Sequence, residues 1–313
     1  MIKWSKGSLA SVKGNVIGDE LLGESLASAV SDSIPGCKAE LYARNYRPSE
    51  KLDVMVYLNE MPPEESLARK HVVYVQNGGF DVDAETLLSV VYKLGFDDHV
   101  FFSRKLLEVH QKRGHSGLFL PFGVDLDLFY PRPASQKYAH DVAYVGNDIK
   151  GDAVTMKYLF PATGFDFGLY GNWKRSLRAK MRLFPRPAPY KNHFEQISRG
   201  KIPQEDIPVL YSSSSINLNC TLQDCVDWDV ITLRTLEVLA CRGFLITDVV
   251  PCARDILSEC VVFTGGDEQL REQISYYLAN AAERKRFADN GFEYVREHGS
   301  IAARAKELVA YLG

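Results

Sequence analysis

The sequence predicts an α/β protein with two domains, each built around a mainly parallel β-sheet, followed by C-terminal helices. Three observations lead to this prediction. The 313 residues suffice for about two domains. Short strand-like runs alternate with helix-like runs, as right-handed βαβ units require. The alternation restarts after residues 121–133, a segment rich in proline and aromatic residues that marks the boundary.

The first domain is predicted to span residues 1–133, with the boundary segment as its linker. Four short apolar runs indicate buried strands: Leu52–Leu58, Val72–Val75, Val100–Phe102 and Leu118–Leu120. Asp19–Val30 carries leucine and valine at helical spacing, which predicts a helix. Ser103 is the predicted N-cap of a second helix over Arg104–Lys112.

The second domain is predicted over residues 134–295. Its expected strands are Asp141–Val145, Phe165–Tyr170, Ser215–Leu218, Gly243–Thr247 and Val261–Phe263. A helix over Leu233–Cys241 comes between the third and fourth of these strands. From Asp267 onward the chain is predicted to be helical, with Asp267 and Ser300 as candidate N-caps.

Composition argues against several classes of protein. Hydrophobic residues make up 46% and charged residues 25%, as in ordinary globular proteins. No apolar run approaches the ~20 residues that cross a bilayer, and no signal-peptide-like segment follows the N-terminus. The six cysteines are scattered without a Cys-x-x-Cys pair, which favours free thiols in a reducing cytoplasm. A net charge of −3 argues against nucleic acid as a partner.

Glycines follow several predicted strands. In open α/β sheets, ligands bind outside the carboxyl ends of the strands. Gly78 and Gly79 follow a strand of the first domain, and Gly146 and Gly171 follow strands of the second. These glycines would let the backbone approach a ligand, although tight turns alone would also explain them.

Two acids flank the start of the helix predicted over Leu233–Cys241. Asp229 lies in the preceding loop and Glu237 within the helix, with seven residues between them. A carboxylate beside Leu236 and Leu239 is costly to bury unless hydroxyls or cations satisfy it. Ribose and sugar hydroxyls would do so, and the alternative is a surface acid on an amphipathic helix.

The run Leu-Glu-Val-Leu-Ala-Cys-Arg-Gly over residues 236–243 resembles the Leu-Glu-Ala-Met-Ala-x-Gly helix of retaining glycosyltransferases of the GT-B type. Many of those enzymes carry two glutamates with seven residues between them. The resemblance implies that Glu237 holds the nucleotide ribose. It also implies that Asp229, an aspartate in place of the usual glutamate, contacts the donor sugar.

Two further segments resemble the same family. Residues 121–131 look like its interdomain linker, so the Asp-x-Asp sequence at residues 125–127 is interpreted as linker and not as a manganese motif. Residues 143–151 look like a turn whose arginine and lysine grip the donor diphosphate. Lys150 keeps the lysine, whereas Asn147 replaces the arginine. Arg234, one helical turn before Glu237, is a candidate to supply the missing charge.

The overall resemblance is to the CgeB-like, group 1 type of GT-B glycosyltransferases, from about residue 100 to residue 313. It implies two Rossmann-like domains with parallel sheets facing a cleft, and a last helix over residues 296–313 that packs back on the first domain. The candidate donor-binding residues are Gly146, Asn147, Gly171, Asn172, Tyr211, Asn219 and Glu237. The candidate catalytic residues of this part of the chain are Lys150, Arg234 and Asp229.

The first domain supplies the candidate acceptor contacts. They are Lys13, Gly14, Asn15, Asn77 and Gly78, in loops where backbone amides can approach a ligand. Asp81 follows one of these loops and is the candidate acid that contacts the acceptor hydroxyl. Residues 13–20 also resemble the Gly-Asn-x-Gly-Asp-Glu start of polysaccharide pyruvyltransferases, which keeps a second enzyme class open.

A basic segment covers residues 172–201, with nine lysines or arginines and one acid. Within residues 173–186, apolar side chains recur at helical spacing between the cations, from Trp173 to Phe184. A basic amphipathic helix can lie on an anionic membrane surface or hold an anionic acceptor. A solvated basic face is the alternative.

The resemblance therefore predicts transfer of a sugar from a nucleotide-diphosphate sugar to a glycan, lipid-linked or other surface-polymer acceptor. No obligatory cofactor or metal is expected, since Lys150 and Arg234 would stabilise the leaving diphosphate. Retention of configuration follows from the resemblance. The alternatives are a pyruvyltransferase that uses phosphoenolpyruvate and a non-catalytic nucleotide- or sugar-binding protein. The expected location is the cytoplasm, peripheral on the inner membrane face if the basic segment binds lipid.

Overall fold

The chain folds into two α/β units. The computed structural model describes residues 2–3, 18–43, 46–76, 82–174 and 189–313. The first unit comprises Met1–Asp125, Asp227–Val230 and Gly299–Gly313, and the second comprises Leu126–Val226 and Ile231–His298. The division after Asp125 falls inside the predicted linker, 121–133. The inclusion of the loop Asp227–Val230 in the first unit is not foreseen by the sequence pattern.

The first unit contains a six-stranded sheet in the order β2-β1-β3-β4-β5-β6, and its pairings are parallel. Its strands are β1 (Ile2–Lys3), β2 (Tyr42–Ala43), β3 (Leu52–Tyr57), β4 (Ala68–Val75), β5 (Asp98–Phe101) and β6 (Leu118–Phe119). The run from Val72 to Val75 is at most 1% exposed, the burial expected of a parallel strand covered on both faces. The predicted α/β class is confirmed, while β1 and β2 are strands that the apolar pattern does not predict.

The helices of the first unit are α1 (Gly18–Ser33), α2 (Ala84–Leu94), α3 (Arg104–Lys112) and α12 (Ile301–Leu312). Ser103 is the N-cap of α3, as predicted, and its hydroxyl accepts a hydrogen bond from the Leu106 amide. Ser300 caps α12 in the same way by accepting from the Ala303 amide. Helix α12 packs against α1 within this unit.

Three histidines lie close together between β5 and the end of α3. The His110 ring centroid lies 4.8 Å from that of His99 and 5.1 Å from that of His115. Both His110 nitrogens have partners, the Tyr92 hydroxyl at 2.8 Å and the Ser116 carbonyl at 2.9 Å. Within the described part of the chain, no group of three histidine, cysteine or acidic side chains is arranged to hold a metal ion. The cluster is therefore a set of packed imidazole rings.

We expect the histidine cluster to make the first unit less stable in mild acid. Burial, together with His110 and His115, lowers the pKa of His99 to about 4, against an opposing effect of Asp98. An unfolded histidine has a pKa of about 6.5, so between these values the unfolded chain takes up a proton that the folded chain does not. Stability is thus fully present above about pH 6.5 and falls as the pH drops towards 4.

Thermal unfolding measured from pH 4 to pH 8 tests this prediction. His99→Gln should flatten the decline relative to the wild type. The matched control is His298→Gln, which changes a histidine with 63% of its side chain exposed and should keep the wild-type profile. Identical pH profiles for His99→Gln and the wild type would contradict the prediction.

The second unit contains a five-stranded parallel sheet in the order β11-β10-β9-β7-β8. Its strands are β7 (Val142–Val145), β8 (Phe167–Tyr170), β9 (Ile216–Asn219), β10 (Leu245–Thr247) and β11 (Val262–Phe263). All five predicted strands are confirmed, with ends shifted by one or two residues. The chain passes from β7 to β8 on one side and then returns to β9 on the other. Such a reversal of strand order is where ligands bind in open α/β sheets.

The helices of the second unit are α4 (Asp152–Tyr158), α5 (Pro189–Ile197), α6 (Ile207–Ser213), α7 (Gln223–Asp227), α8 (Leu233–Ala240), α9 (Pro251–Leu257), α10 (Asp267–Ala279) and α11 (Ala281–Tyr294). The helical character predicted from Asp267 onward is confirmed. The prediction of Asp267 as an N-cap is wrong, because Gly266 holds that position and Asp267 is the first helical residue. Among the described residues, no helix has both the length and the apolar character needed to cross a bilayer.

Trp173 belongs to the core of the second unit. It is 3% exposed, and its ring centroid lies 5.2 Å from that of Phe194 and 6.1 Å from that of Tyr144. Its indole nitrogen donates to the Tyr170 carbonyl at 3.3 Å. The hypothesis that Trp173 begins a membrane-facing surface over residues 173–186 is therefore wrong for this residue, which packing removes from solvent. Most of that segment falls within residues 175–188, which lie outside the described residues.

Candidate functional site

A pocket of about 360 Å³ lies in the second unit beside the ends of β7 and β8. Its lining residues are Val145, Gly146, Asn147, Gly171, Lys201, Ile202, Ile207, Tyr211, Arg234 and Glu237. Six of them were singled out from the sequence, namely Gly146, Asn147, Gly171, Tyr211, Arg234 and Glu237. The pocket is thus placed where the reversed strand order of this sheet leads us to expect a ligand.

Two glycine turns form one wall of the pocket. Gly171 has φ +127°, and a β-carbon there would stand 2.0 Å from the carbonyl oxygen of Gly146. The Asn172 amide donates to Asn147 Oδ1 at 2.9 Å, and the Gly171 amide donates to the Gly200 carbonyl at 2.8 Å. The turns after β7 and β8 therefore touch through backbone atoms. Only a residue without a side chain fits at Gly171.

Arg234 reaches the pocket from the first turn of α8. Its Nη1 donates to Asn219 Oδ1 at 2.9 Å, and its guanidinium carbon lies 5.1 Å from the centroid of the buried Tyr144 ring. In the part of the chain that the structure describes, Arg234 forms no ion pair with a carboxylate. The guanidinium is therefore held by a neutral amide and an aromatic ring, while the nearby Glu237 carboxyl acts on it through its charge and not through an ion-pair contact.

Lys150 is electrostatically coupled to Arg234. It follows the β7 turn and is half-buried. Burial and the charge of Arg234 lower the pKa of the Lys150 ammonium, against opposing effects of Cys220, Cys225 and Asp248. Lys150 also has no ion-paired carboxylate among the described residues. Two neighbouring cations, neither of them in ion-pair contact with a described carboxylate, favour binding of an anion.

Glu237 and Tyr211 line the pocket and are hydrogen-bonded to each other. Burial raises the pKa of the Glu237 carboxyl, while the Arg234 charge and a hydrogen bond from Tyr211 oppose this shift. Tyr211 is 3% exposed and lies in α6, and burial also raises the pKa of its hydroxyl. A carboxylate held beside Arg234 at the pocket wall is suited to accept hydrogen bonds from the hydroxyls of a ligand.

Two predicted donor-binding residues are used within the protein. Asn172 is exposed in the β8 turn, where its backbone binds the side chain of Asn147. Asn219 is 3% exposed at the end of β9 and holds Arg234. Neither residue is among those that line the pocket.

Asp229 belongs to the first unit. Its backbone has a left-handed φ of +57°, and its Oδ2 lies 3.0 Å from Nε of Arg104 at the start of α3. In the same loop, Lys105 Nζ donates to the Asp227 carbonyl at 2.7 Å. Any contact of Asp229 with a donor sugar would therefore compete with the ion pair to Arg104. The catalytic role of Asp229 stays a prediction.

The candidate acceptor contacts Lys13, Gly14, Asn15, Asn77 and Gly78, and the candidate acid Asp81, lie outside the described residues. The nearest described residue to the second loop is Gln76, at the end of β4, which is 4% exposed. Its amide nitrogen donates to the Leu58 carbonyl at 2.8 Å. The roles of these six residues stay predictions.

Sequence reasoning missed four lining residues, Val145, Lys201, Ile202 and Ile207. Lys201 and Ile202 lie in the run Gly200-Lys201-Ile202-Pro203, within the stretch from about residue 100 to residue 313 that resembles CgeB-like enzymes, and this resemblance is the signal that could have identified them. Gly200, with φ +76°, accepts from Gly171 and so joins this run to the β8 turn. In the sequence Lys201 also counts toward the basic segment 172–201, and only the fold places it at the pocket.

Residues 155–310 match the model of a family described as glycosyl transferase-like. These residues belong to this family. The matched segment includes the pocket residues Gly171, Tyr211, Arg234 and Glu237. The resemblance to group 1 type glycosyltransferases is thereby confirmed, and the protein is a glycosyltransferase. No curated protein sequence shows significant similarity to the chain.

Solved structures of glycosyltransferases share the fold. WaaG, a glycosyltransferase involved in lipopolysaccharide biosynthesis, matches at 14% identity with a TM-score of 0.64 and covers 100% of both chains. Sucrose-phosphate synthase from Thermosynechococcus elongatus matches at 17% identity with a TM-score of 0.61. The match covers 99% of this chain and 97% of that one. Anabaena HepE, in complex with UDP-glucose, matches at 11% identity with a TM-score of 0.63. The match covers 99% of this chain and 98% of that one. These similarities confirm the predicted GT-B fold of this glycosyltransferase.

Proposed function

We propose that this glycosyltransferase moves a sugar from a nucleoside-diphosphate sugar to a glycan, lipid-linked or other surface-polymer acceptor, with retention and without a metal ion. The observation that carries the proposal is Arg234 at a pocket that also holds Glu237, with Lys150, which is not among the lining residues, electrostatically coupled to Arg234. Neither cation has an ion-paired carboxylate in the described part of the chain. A diphosphate would supply the missing negative charge.

The two cations would stabilise the leaving group of the transfer reaction. During transfer, the bond between the anomeric carbon and the diphosphate oxygen breaks, and the acceptor oxygen bonds to the same carbon while its proton passes to a base. Negative charge accumulates on the departing diphosphate. Arg234 and Lys150 would stabilise that charge, and partial burial would strengthen their effect because fewer water molecules screen them. Cations in this place can do the work that a divalent metal does elsewhere.

Glu237 is the proposed contact to the nucleotide ribose. It shares the pocket with Arg234, so a nucleotide whose phosphates bind the cation would bring its ribose hydroxyls near the carboxylate. The similarity to HepE, which was solved with UDP-glucose, supports a donor whose sugar is attached to a nucleoside diphosphate. Under this proposal the second unit binds the donor.

The first unit is the proposed acceptor-binding part. The similarity to WaaG, which acts in lipopolysaccharide biosynthesis, supports a glycan or lipid-linked acceptor. For such an acceptor, we propose a cytoplasmic protein that meets the inner membrane face through basic residues of the segment 173–186. The pyruvyltransferase alternative depends on residues 13–20, whereas the family match at 155–310 supports sugar transfer.

Nucleotide binding tests the proposal. We expect UDP, GDP or ADP to raise the melting temperature of the wild type, because a ligand of the native state stabilises it. Glu237→Ala should weaken binding of the preferred diphosphate by about tenfold, the value of one or two hydrogen bonds to a charged group. The same variant should bind the 2′,3′-dideoxy form of that diphosphate as well as the wild type does, since the lost contacts are to the ribose hydroxyls.

Two outcomes would contradict the proposal. If phosphoenolpyruvate alone stabilises the wild type, the pyruvyltransferase alternative replaces it. If Glu237→Ala weakens the normal and the dideoxy nucleotide equally, the ribose contact is wrong. Glu283→Ala is the matched control, because this carboxylate, also in the second unit, accepts from the exposed Tyr276 and is not part of the pocket lining.

A further inference from the structure

We infer that Asn219 is a positioning residue, which aims Arg234 at the donor diphosphate and is itself oriented by Asp248 through Thr247. The inference rests on the proposed function for the identity of the ligand. The sequence resemblance suggests Asn219 as a donor contact. The structure instead directs its side chain to Arg234.

The carboxamide of Asn219 is fully engaged. Its Oδ1 accepts from Arg234 Nη1 at 2.9 Å. Its Nδ2 donates to Thr247 Oγ1 at 3.1 Å and faces Thr232 Oγ1 at 3.4 Å. Only 3% of Asn219 is exposed, so these contacts are shielded from water. A buried amide that lost these hydrogen bonds would destabilise the fold, because no water could replace them.

Asp248 decides which way the Asn219 amide points. Thr247 donates its single hydroxyl proton to Asp248 Oδ1 at 3.1 Å, so Thr247 Oγ1 acts as an acceptor towards Asn219 Nδ2. The amide oxygen must then face Arg234. Thr221 fixes the carboxylate in turn, through its amide at 3.0 Å and its hydroxyl at 2.9 Å. These hydrogen bonds join β9 and β10. Arg234 donates to Asn219, Asn219 donates to Thr247, and Thr247 donates to Asp248.

A neutral acceptor suits an arginine that has to bind an anion. An amide oxygen restrains the guanidinium without cancelling its charge, whereas a carboxylate at position 219 would form an ion pair with Arg234 and compete with the ligand. Because Asn219 already restrains the Arg234 side chain before a ligand arrives, binding loses less of the conformational entropy of that long side chain. The replacement Asn219→Asp, which hardly changes shape, is therefore predicted to be harmful.

The first test is a double-mutant cycle with UDP, GDP and ADP as probes. Asn219→Ala should weaken binding of the preferred diphosphate by about tenfold in the wild type, but by less than about twofold in the Arg234→Ala background. Asn219→Asp should weaken binding at least as much as Asn219→Ala. Equal losses from Asn219→Ala in both backgrounds, or wild-type binding by Asn219→Asp, would overturn the inference.

A second test needs no ligand. In protein labelled with ¹⁵N-arginine, the Nη protons of Arg234 should exchange slowly and give a resolved NMR signal, because the Asn219 bond restrains the guanidinium. Asn219→Ala and Asp248→Asn should both abolish this signal. Rapid Nη rotation in the wild type would overturn the inference. If the NMR result holds and no nucleoside diphosphate binds, the proposed function fails while the positioning contact stands.

Asn217→Ala is the matched control. Asn217 lies two residues earlier on β9, is 1% exposed and donates to the carbonyls of Tyr211 and Phe244. Its loss should lower the melting temperature and leave the Arg234 NMR signal intact. If Asn217→Ala abolishes that signal as fully as Asn219→Ala does, the effect is general loosening of β9 and the inference is wrong.

Discussion

Arg234→Ala is expected to lower kcat/KM for sugar transfer by about 10²- to 10³-fold, the loss typical of removing one preorganised charge-stabilising donor from an active site. The reason is that Arg234 lines the pocket without an ion-paired carboxylate among the described residues, held by Asn219 and lying over the Tyr144 ring. Lys150 alone would then face the diphosphate. Steady-state kinetics with the nucleotide sugar that the binding screen identifies would measure the loss.

The control for this prediction is Arg242→Ala. Arg242 lies just after the same helix, but its Nε is 3.4 Å from Asp289 Oδ1 and it packs against Phe292. This variant should keep nucleotide affinity. Added salt should weaken binding less in Arg234→Ala than in the wild type, because one charge fewer is screened. Unchanged kinetics of Arg234→Ala would contradict the role assigned to the guanidinium.

Gly171→Ala is expected to lower the free energy of unfolding by about 3 kcal/mol, from a collision and a strained backbone acting together. Its β-carbon would stand 2.0 Å from the Gly146 carbonyl oxygen, and φ is +127°. The two turns would have to separate, so nucleotide binding should also be lost in the fraction that folds. Denaturant unfolding and a binding titration would measure the two effects.

Gly95→Ala separates the two causes. Gly95 also has a positive φ, +77°, but a β-carbon there meets nothing within 4 Å. Only backbone strain remains, and we expect a loss of about 1 kcal/mol with no change in nucleotide binding. Equal losses for the two glycine variants would mean that the contact between the β7 and β8 turns does not constrain the fold.

Local signals in the sequence predicted most of the fold. Apolar runs such as Val72–Val75 identify parallel strands because both faces of such strands are buried, and that requirement shapes the sequence directly. Ser103 and Ser300 identify helix starts because capping depends on neighbours a few residues away. Strands β1 and β2 escaped prediction because they are only two residues long and carry no periodic pattern.

Six candidate pocket residues, among them Arg234 and Glu237, were also recognised from the sequence, because they lie in short runs that resemble a family. Spacing along one helix places the arginine and the glutamate together, one turn apart. Their partners belong to other elements. Asn219 comes from the end of β9 and Lys201 from the run after α5, and no local pattern indicates that either would lie near α8.

Tertiary structure alone decided how these residues are used. The sequence by itself determined the α/β class, the course of most strands and helices, and the arginine and glutamate of α8, since each depends on neighbours along the chain. It could not determine that Asn219 serves Arg234, that Asp229 pairs with Arg104, or that Trp173 is buried. Each of these contacts joins residues from different elements, and their geometry exists only after the sheets have formed.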